Sequence, residues 1–168
     1  MLLPNAYDPD FVAKNADALE GDLVSPSFQA FEHEPQIPEI KKLIEWFGKI
    51  GKKPSEIGTA GWILADELVT GLKMAGPEFS QQKVIDALNT LTNYTANGLI
   101  QPINWTKQHQ DPFTHPEARG DRDCLNYVKV QGGKFVSAFG QPGKPWICFN
   151  QSDPNVDNPQ FVSFAGSG

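Results

Sequence analysis

The chain has 168 residues, of which 39% are hydrophobic and 20% are charged, and its formal net charge is −6 with a pI near 5.0. One domain is expected at this length, and the acidic balance argues against a nucleic-acid or anionic-membrane partner, because either would need a basic face. No apolar run approaches the roughly 20 residues that span a bilayer. The first residues, MLLPNAYDPD, lack the features of a signal peptide and read as the middle of a chain.

Two helices and a short strand are predicted in the first fifty residues. Apolar residues at helical spacing predict a helix over 8–18, with Asp8 as its N-cap and Pro9 in its first turn. The segment DLVSPSF, which follows Gly21, is typical of a short strand running into a loop broken by proline. An amphipathic helix is predicted over 35–48, because its apolar residues form one stripe and its charged residues lie outside it.

The most apolar helix of the chain is predicted over 55–75. Apolar residues cover most of its circumference, so we expect it to be buried between other elements. Gly76 and Pro77 should end it. Ser80 is a suitable N-cap for a further short helix. The apolar positions of that helix are Val84, Ile85, Leu88 and Leu91.

Beyond that short helix the pattern changes from helical to extended. The segment LIQPINW should be extended, with Pro102 at an edge or a bend. The segments CLNYVKVQ and KFVSAF predict two strands, and Gly132-Gly133 between them predicts a two-residue hairpin turn. From Gln141 onward the chain is rich in proline and should be irregular. Helices followed by a hairpin indicate part of an α/β domain.

One segment, residues 108–124, concentrates groups that bind metals or take part in catalysis, in the sequence QHQDPFTHPEARGDRDC. His109 and His115 are six residues apart, and the prolines between and after them preclude the helix that aligns zinc ligands in many enzymes. Residues 119–121 form an Arg-Gly-Asp tripeptide, which many proteins contain by chance. A metal-dependent enzyme built on the His109–Cys124 loop stays open as an alternative, but a polar connection between two strands is favoured.

Catalytic motifs are otherwise missing from the sequence. There is no G-x-S-x-G nucleophile, no P-loop and no G-x-G-x-x-G. Asp66 and Glu67 are adjacent on a predicted helix, so their side chains point in different directions. We therefore predict no catalytic residue, no metal and no cofactor.

The two cysteines lie around the predicted hairpin. Cys124 begins the first hairpin strand and Cys148 follows the second, so both could lie near one end of the hairpin. They are either a disulfide or two unlinked buried thiols.

Six segments, taken in order, resemble the C-terminal half of a type I periplasmic solute-binding protein, in the leucine/isoleucine/valine-binding branch that serves ABC importers. The resemblance runs from about residue 4 to 149, and it rests on the order and spacing of the segments rather than on any single motif. The segments are LEGDLVSPSFQAF, PQIPEIKKLIEWFGKIGKKP, GTAGWILADELVTGLKMAG, FSQQKVIDALNTL, YTANGLIQPINWT and CLNYVKVQGGKFV.

The resemblance implies an α/β fold, with partial Rossmann-like lobes of the type I periplasmic-binding-protein fold and a C-terminal β-hairpin. Residues 1–149 would form the C-terminal portion of such a domain, and residues 150–168 an irregular tail. The histidine-containing segment falls where the family has a variable surface connection, which favours a loop there. Because exported proteins reside in oxidising compartments, where cysteine pairs form disulfides, the resemblance also favours a disulfide between Cys124 and Cys148.

Four residues are the candidate ligand contacts that the resemblance implies. Phe28 follows the first predicted strand where the family turns into its cleft. The buried helix offers one ligand-facing residue, which is Ala60, Gly61 or Trp62 depending on a shift of one or two residues. Plain core packing is the alternative for Phe28 and Trp62.

The function that the resemblance implies is binding without chemistry. Two lobes close on an amino acid or a similar small polar solute, and the closed form docks on the membrane permease of an ABC importer. The missing N-terminal half, or a second copy of the chain, is expected to cover exposed apolar surface. No nucleic-acid partner is expected. The expected location is periplasmic or extracellular, with a lipid anchor on the full-length protein left open. A ligand-sensing receptor module of the same fold is the alternative function.

Overall fold

A computed structural model describes residues 1–3, 5–108, 114, 123–139 and 142–149 of the chain. Within them, helices and strands alternate along the first third, helices dominate the middle, and strands dominate the last part. The elements are β1 (Leu2–Leu3), α1 (Pro9–Lys14), α2 (Ala16–Leu19), β2 (Leu23–Val24), α3 (Pro38–Lys49), α4 (Glu56–Ala75), α5 (Gln81–Leu88), a 3₁₀ turn (Ala96–Gly98), α6 (Trp105–Gln108), β3 (Asp123–Leu125), β4 (Val128–Gln131), β5 (Lys134–Ser137) and β6 (Ile147–Phe149).

Four of the strands form one mixed sheet in the order β1-β2-β4-β5. β1 and β2 are parallel, β2 and β4 are antiparallel, and β4 and β5 form a hairpin. Gly132 and Gly133 lie in the turn with φ of 57° and 71°, which a two-residue turn of this kind requires. The predicted hairpin is therefore confirmed over Val128–Ser137, but the predicted strand CLNYVKVQ is not continuous, because Asn126 and Tyr127 separate β3 from β4. β3 and β6 form a separate two-stranded antiparallel sheet.

The first predicted helix is broken into α1 and α2. The Asp8 carboxylate caps α1 as predicted, accepting hydrogen bonds from the backbone N–H groups of Asp10 and Phe11 at 2.9 Å. The expected continuous helix over 8–18 is wrong, because Asn15 leaves the helical conformation. Its Nδ2 donates to the Phe11 carbonyl at 2.8 Å, which is the competition with the helix that an asparagine side chain offers.

The remaining helix boundaries follow local capping. Ser55 and Ser80 cap α4 and α5, since their hydroxyl oxygens accept from backbone N–H groups three residues on, at 3.3 and 3.2 Å. α3 begins three residues later than the predicted Pro35, because Pro38 occupies its first turn, where a missing N–H costs nothing. Gly76, with φ of 78°, ends α4 as expected.

From Ile57 to Leu68, α4 is buried on one side only, so the expectation of a helix buried all round is wrong. Ile57, Leu64 and Leu68 on the opposite side are 79%, 65% and 55% exposed. Towards its end the helix meets α5, and a Cβ added at Gly71 would lie 2.8 Å from Leu88 Cγ. Gly71 lies on the same side of the helix as Leu64, so α5 covers that side only at its C-terminal end, and no element among the described residues covers it from Ile57 to Leu68.

Two further predictions of extended or irregular backbone need correction. Residues 147–149 belong to a strand, so the chain beyond Gln141 is not irregular throughout, and residues 150–168 lie outside the described part. In LIQPINW, Ile103 pairs with Tyr94 through an isolated bridge, but Trp105 already begins α6. The described helices include none that is long and apolar enough to cross a membrane.

Two clusters of apolar side chains form the core. The sheet cluster lies between the four-stranded sheet, α1 and the chain that follows β2. The helix cluster lies between α3, α4 and residues 94–99, and Phe31 and Ile63 contact both clusters. The buried members of the sheet cluster are Tyr7, Val12, Val24, Phe28, Ala30, Val128, Val130 and Phe135, and those of the helix cluster are Ile40, Leu43, Tyr94, Ala96 and Leu99.

Candidate ligand-binding site

The candidate site lies where the two parallel strands end. The carboxyl ends of parallel strands meet at one edge of a sheet, and ligands of open α/β folds bind in the crevice outside that edge. In this chain the edge is followed by the residues up to Asp8 after β1 and by residues 25–37 after β2. Tyr7 comes from the first connection, and Phe28, Phe31 and Glu32 come from the second.

Aromatic rings fill the inner part of this edge. Tyr7 is fully buried and stacks on Phe135, with ring centroids 4.7 Å apart. Phe28 and Phe31 each lie 5.5 Å from the Tyr7 ring in edge-on arrangements. Phe28 is also fully buried, so its described contacts are those of a core residue, and its role as a ligand contact stays a prediction.

A hydrogen-bonded chain of three groups lies at the outer part of the edge. The backbone N–H of Phe31 donates to the Tyr7 hydroxyl oxygen at 2.9 Å, and the hydroxyl donates to Glu32 Oε2 at 2.7 Å. Burial raises the pKa of the Glu32 carboxyl above its ordinary value. Burial, together with the neighbouring Glu32 charge, raises the pKa of Tyr7 far above its ordinary value, so its hydroxyl stays protonated at physiological pH.

The backbone of both connections is fixed by side chains from elsewhere in the chain. Glu56 Oε2 accepts from the Tyr7 N–H at 3.2 Å, and the Glu56 N–H donates to the Tyr7 carbonyl at 2.9 Å. Asn126 is fully buried, and its Nδ2 donates to the carbonyls of Pro26 and Phe28 at 3.1 and 2.6 Å. Its Oδ1 accepts from the Ala30 N–H at 3.2 Å. Each of the two connections is therefore hydrogen-bonded to a residue that lies elsewhere in the sequence.

Sequence reasoning missed Tyr7, Glu32 and Asn126. The strand before Tyr7 has only two residues, which is too short to give an alternating pattern. One signal was available for Asn126: a polar residue between strand-like apolar segments indicates a buried amide with specific partners.

His33 forms a further buried contact of the connection after β2. Its Nδ1 lies 2.9 Å from the Ser137 hydroxyl on β5, and no hydrogen-bond partner among the described residues reaches its Nε2. Burial lowers the pKa of the imidazole below its ordinary value. Neutral histidine is thus favoured at this position.

Trp62, a predicted ligand contact, joins α4 to α3. Its Nε1–H donates to Glu39 Oε1 at 2.9 Å, and Lys42 Nζ lies 3.3 Å from the same carboxylate oxygen and 5.4 Å from the centre of the indole ring. The half-buried indole packs against the helix cluster. These contacts fit the core-packing alternative, and a ligand role for Trp62 stays a prediction.

The other two predicted ligand contacts lie on the same helix as Trp62. Ala60 is half-buried, whereas Gly61 is exposed and a Cβ added there would meet no atom within 4 Å. Phe28 and Trp62 belong to different clusters of the core. The four predicted residues are therefore divided between the strand edge and α4, and their ligand roles stay predictions.

The predicted disulfide residues lie opposite each other in the β3–β6 sheet. The strand register pairs Cys124 with Cys148, and directly opposite residues of an antiparallel pair have Cα atoms about 4.5–5.5 Å apart, which is within the range of disulfides. Among the described residues, no cysteine is a free thiol. The register supports the disulfide, which stays a prediction.

The alternative metal site lies mostly outside the described residues. His109, His115 and the tripeptide at 119–121 all belong to the part of the chain that the structure does not describe. Among the described residues, no group of three or more metal-binding side chains comes together.

Comparison with known proteins identifies the fold. Residues 1–134 match the sequence profile of a family described as periplasmic binding protein, whereas no curated protein matches the sequence. Among solved structures, a leucine-binding protein LivK from Thermotoga maritima is 19% identical with a TM-score of 0.59, and the match covers 90% of this chain and 37% of that one. A fatty acid ABC transporter substrate-binding protein from Thermomonospora curvata is 22% identical with a TM-score of 0.61, covering 94% of this chain and 38% of that one.

A third solved structure is a branched-chain amino acid ABC transporter from Thermus thermophilus with bound valine. It is 24% identical with a TM-score of 0.56, and the match covers 82% of this chain and 37% of that one. The chain thus spans well under half the length of these structures, which is less than the half that the resemblance implied. At these identities the likeness establishes the type I fold and not the ligand. The profile match covers most of the sequence, and the chain belongs to the periplasmic binding protein family.

Proposed function

We propose that the chain is one part of a periplasmic solute-binding protein that delivers an amino acid or a similar small polar solute to the permease of an ABC importer. The observation that carries the proposal is the family match over residues 1–134. Two of the similar structures bear the names of a leucine-binding protein and a branched-chain amino acid transporter. The proposed role is binding and not catalysis, and the family name supports a periplasmic location.

The strand edge supplies one wall of the proposed binding site. Tyr7, Phe31 and Glu32 lie where the crevice of an open α/β fold is expected. A zwitterionic ligand needs several convergent partners at once, because a charge taken out of water must be paired and hydrogen-bonded. One wall leaves most of the ligand in water, so the remaining partners must come from the part of the fold that this chain lacks.

The exposed side of α4 is where we propose that the missing part packs. Ile57, Gly61, Leu64 and Leu68 recur at three- and four-residue spacing, so they form one continuous stripe. Large contiguous apolar patches are rare on soluble monomers. Because the chain spans 37–38% of the length of similar structures, the rest of the same fold is the occupant that the stripe fits best.

The test compares the chain alone with a completed two-lobed protein. Calorimetry of the 168-residue chain against leucine, isoleucine and valine should detect no binding, and size-exclusion chromatography with light scattering should detect self-association through the stripe. A polypeptide that adds the missing part should be monomeric and should bind at least one solute of the panel. A monomeric chain that binds leucine at micromolar affinity by itself would overturn the proposal. A membrane-spanning or DNA-binding segment in the same gene would instead favour the receptor alternative.

A further inference from the structure

Positive charge is concentrated in one short segment of a chain that is acidic as a whole. Residues 41–53 contain five of the 14 lysines and arginines and one acidic residue, Glu45, whereas the whole chain has a formal net charge of −6. The segment covers most of α3 and the turn that follows it. Charges more than about 10 Å away are largely screened at physiological salt. A partner that contacts this segment would therefore experience its local positive charge rather than the net charge of the chain.

Apolar side chains are interleaved with these lysines on the surface of α3. Trp46, Lys49 and Ile50 follow Lys42 at intervals of four, seven and eight residues, so the four side chains form one continuous band, which we call the basic band. Trp46 and Ile50 are 50% and 67% exposed. Lys49 Nζ lies 4.1 Å from the centre of the Trp46 ring. The basic band thus presents an aromatic and an aliphatic side chain to solvent between cations.

Helix stability does not explain the whole of this arrangement. A cation in the last turn of a helix is favourable with the helix dipole, which accounts for Lys49. Lys41 and Lys42, however, lie close to the start of a helix that begins at Pro38, where the dipole disfavours cations. No ion pair among the described residues includes Lys41 or Lys52. A role outside the fold accounts for these lysines better than a role in it.

We propose that the basic band of α3, with Lys52 beside it, docks the chain on an anionic phospholipid surface. Tryptophan rings favour the headgroup level of a membrane, and lysine stems lie along apolar surface while their ammonium groups reach the phosphates. A basic amphipathic helix is typical of proteins that bind membrane surfaces, whereas lysine is depleted at protein–protein interfaces. The inference goes beyond the proposed function, because it does not depend on which solute is bound.

The first experiment measures co-sedimentation of the 168-residue chain with lipid vesicles. One set of vesicles consists of phosphatidylcholine, and the other is an equimolar mixture of phosphatidylcholine and phosphatidylglycerol. The chain should bind the mixed vesicles and not the neutral ones, and sodium chloride should weaken the binding because it screens the charges. Absence of binding would overturn the inference. Equal binding to both sets would also overturn it, because apolar adsorption, for example through the stripe on α4, would then suffice.

A double variant tests whether the position of the charges matters. Each lysine near an anionic surface strengthens binding by about fivefold, so Lys49→Gln combined with Lys52→Gln should weaken binding to the mixed vesicles by about thirtyfold. The ion pair of Lys49 with Glu45 is exposed, so thermal stability should change little. Lys73→Gln combined with Lys107→Gln is the matched control, because it removes the same charge from exposed positions on α4 and α6. Equal weakening by the two double variants would show that only net charge matters and would overturn the inference.

Trp46 reports whether the basic band enters the lipid. Trp46 is exposed and the other three tryptophans are half-buried. Mixed vesicles with brominated acyl chains should therefore quench the fluorescence of the wild type, and Trp46→Ala should lose most of that quenching and bind more weakly. Phe79→Ala is the matched control, because it removes a 59% exposed ring between α4 and α5 and should leave vesicle binding unchanged. Binding to soluble polyglutamate as tight as to the vesicles, without quenching of Trp46 by the brominated lipid, would identify an acidic protein as the partner and overturn the inference.

Discussion

The sheet cluster and the outer side of α4 are both rich in large apolar residues, yet they have opposite environments. Tyr7, Phe28 and Val128 are fully buried, whereas Ile57 and Leu64 are mostly exposed. In the sheet cluster, the chain itself supplies every layer: strands, α1 and the connection after β2. On the outer side of α4, no element among the described residues covers the surface from Ile57 to Leu68. The chain thus closes its own core around the strand edge, and the exposed stretch of α4 is where we propose that the rest of the fold packs.

Replacing Phe28 should have the largest effect on stability, because Phe28 is a buried member of the sheet cluster. Phe28→Ala removes a fully buried ring that contacts Tyr7 and Phe31. We expect the free energy of unfolding to fall by about 3–5 kcal/mol, measured by urea denaturation. In the completed protein the same variant separates two roles: unchanged ligand affinity with lowered stability would support core packing, whereas a large loss of affinity at moderate stability loss would support ligand contact. Trp62→Ala serves as the parallel test on α4.

Breaking the Cys124–Cys148 link should have the next largest effect. Two-stranded sheets are marginal by themselves in water, and Leu125 of β3 is 41% exposed. A cross-link would therefore supply stability that this small sheet does not gain from burial. A disulfide closes a loop of about 25 residues and should contribute roughly 3.5 kcal/mol in the chain-entropy model. Reduction, or paired Cys→Ser substitution, should lower the unfolding free energy accordingly. Non-reducing mass spectrometry that detects two free thiols in protein from its native compartment would contradict the prediction.

Lowering the pH should lower the free energy of unfolding through protonation of His33. The unfolded chain takes up a proton near the ordinary histidine pKa of about 6.5, whereas burial gives the folded imidazole a lower pKa. Stability should therefore be complete above about pH 6.5 and decline as the pH falls through the folded pKa. Denaturation between pH 5 and 8 measures this slope.

His33→Gln is the control for that slope. Glu32 contributes with the opposite sign, since its raised folded pKa makes stability fall as the pH rises past the ordinary glutamate value. The difference between wild type and His33→Gln removes the Glu32 contribution, which both proteins share. An identical pH profile for the two proteins would mean that His33 does not titrate between the folded and unfolded states.

Sequence patterns predicted the features that depend on local chemistry. The caps at Asp8 and Ser80 and the Gly132-Gly133 hairpin turn each need only a few neighbouring residues, and all three are confirmed. The candidate site could not be predicted in the same way. Tyr7 and Glu32 are 25 residues apart and meet only because two very short parallel strands align their ends. The burial of α4 was mispredicted because an apolar pattern does not specify which elements of the chain will cover each side of a helix.

The smallest effect on stability is expected from substitutions on the outer side of α4. The same substitution can be compared in the chain alone and in the completed protein. At a concentration where the chain is monomeric, Leu64→Ala removes a side chain that is already 65% exposed, so the unfolding free energy should change by less than about 0.5 kcal/mol. In the completed protein the same substitution should cost about 2–5 kcal/mol, because the leucine would then be buried.

Substitutions on the stripe should have a large effect on self-association of the chain, although their effect on its stability is small. Leu64→Lys combined with Leu68→Lys should make the chain monomeric in light scattering, since two charges on the stripe oppose burial against any apolar partner. Met74→Lys is the matched control: it also replaces an exposed apolar residue of α4, but ten residues from Leu64 it lies on another face of the helix. If Met74→Lys dissociates the chain as effectively as the double variant, the stripe is not the interface. If Leu64→Ala costs the same in the chain and in the completed protein, the missing part of the fold packs elsewhere.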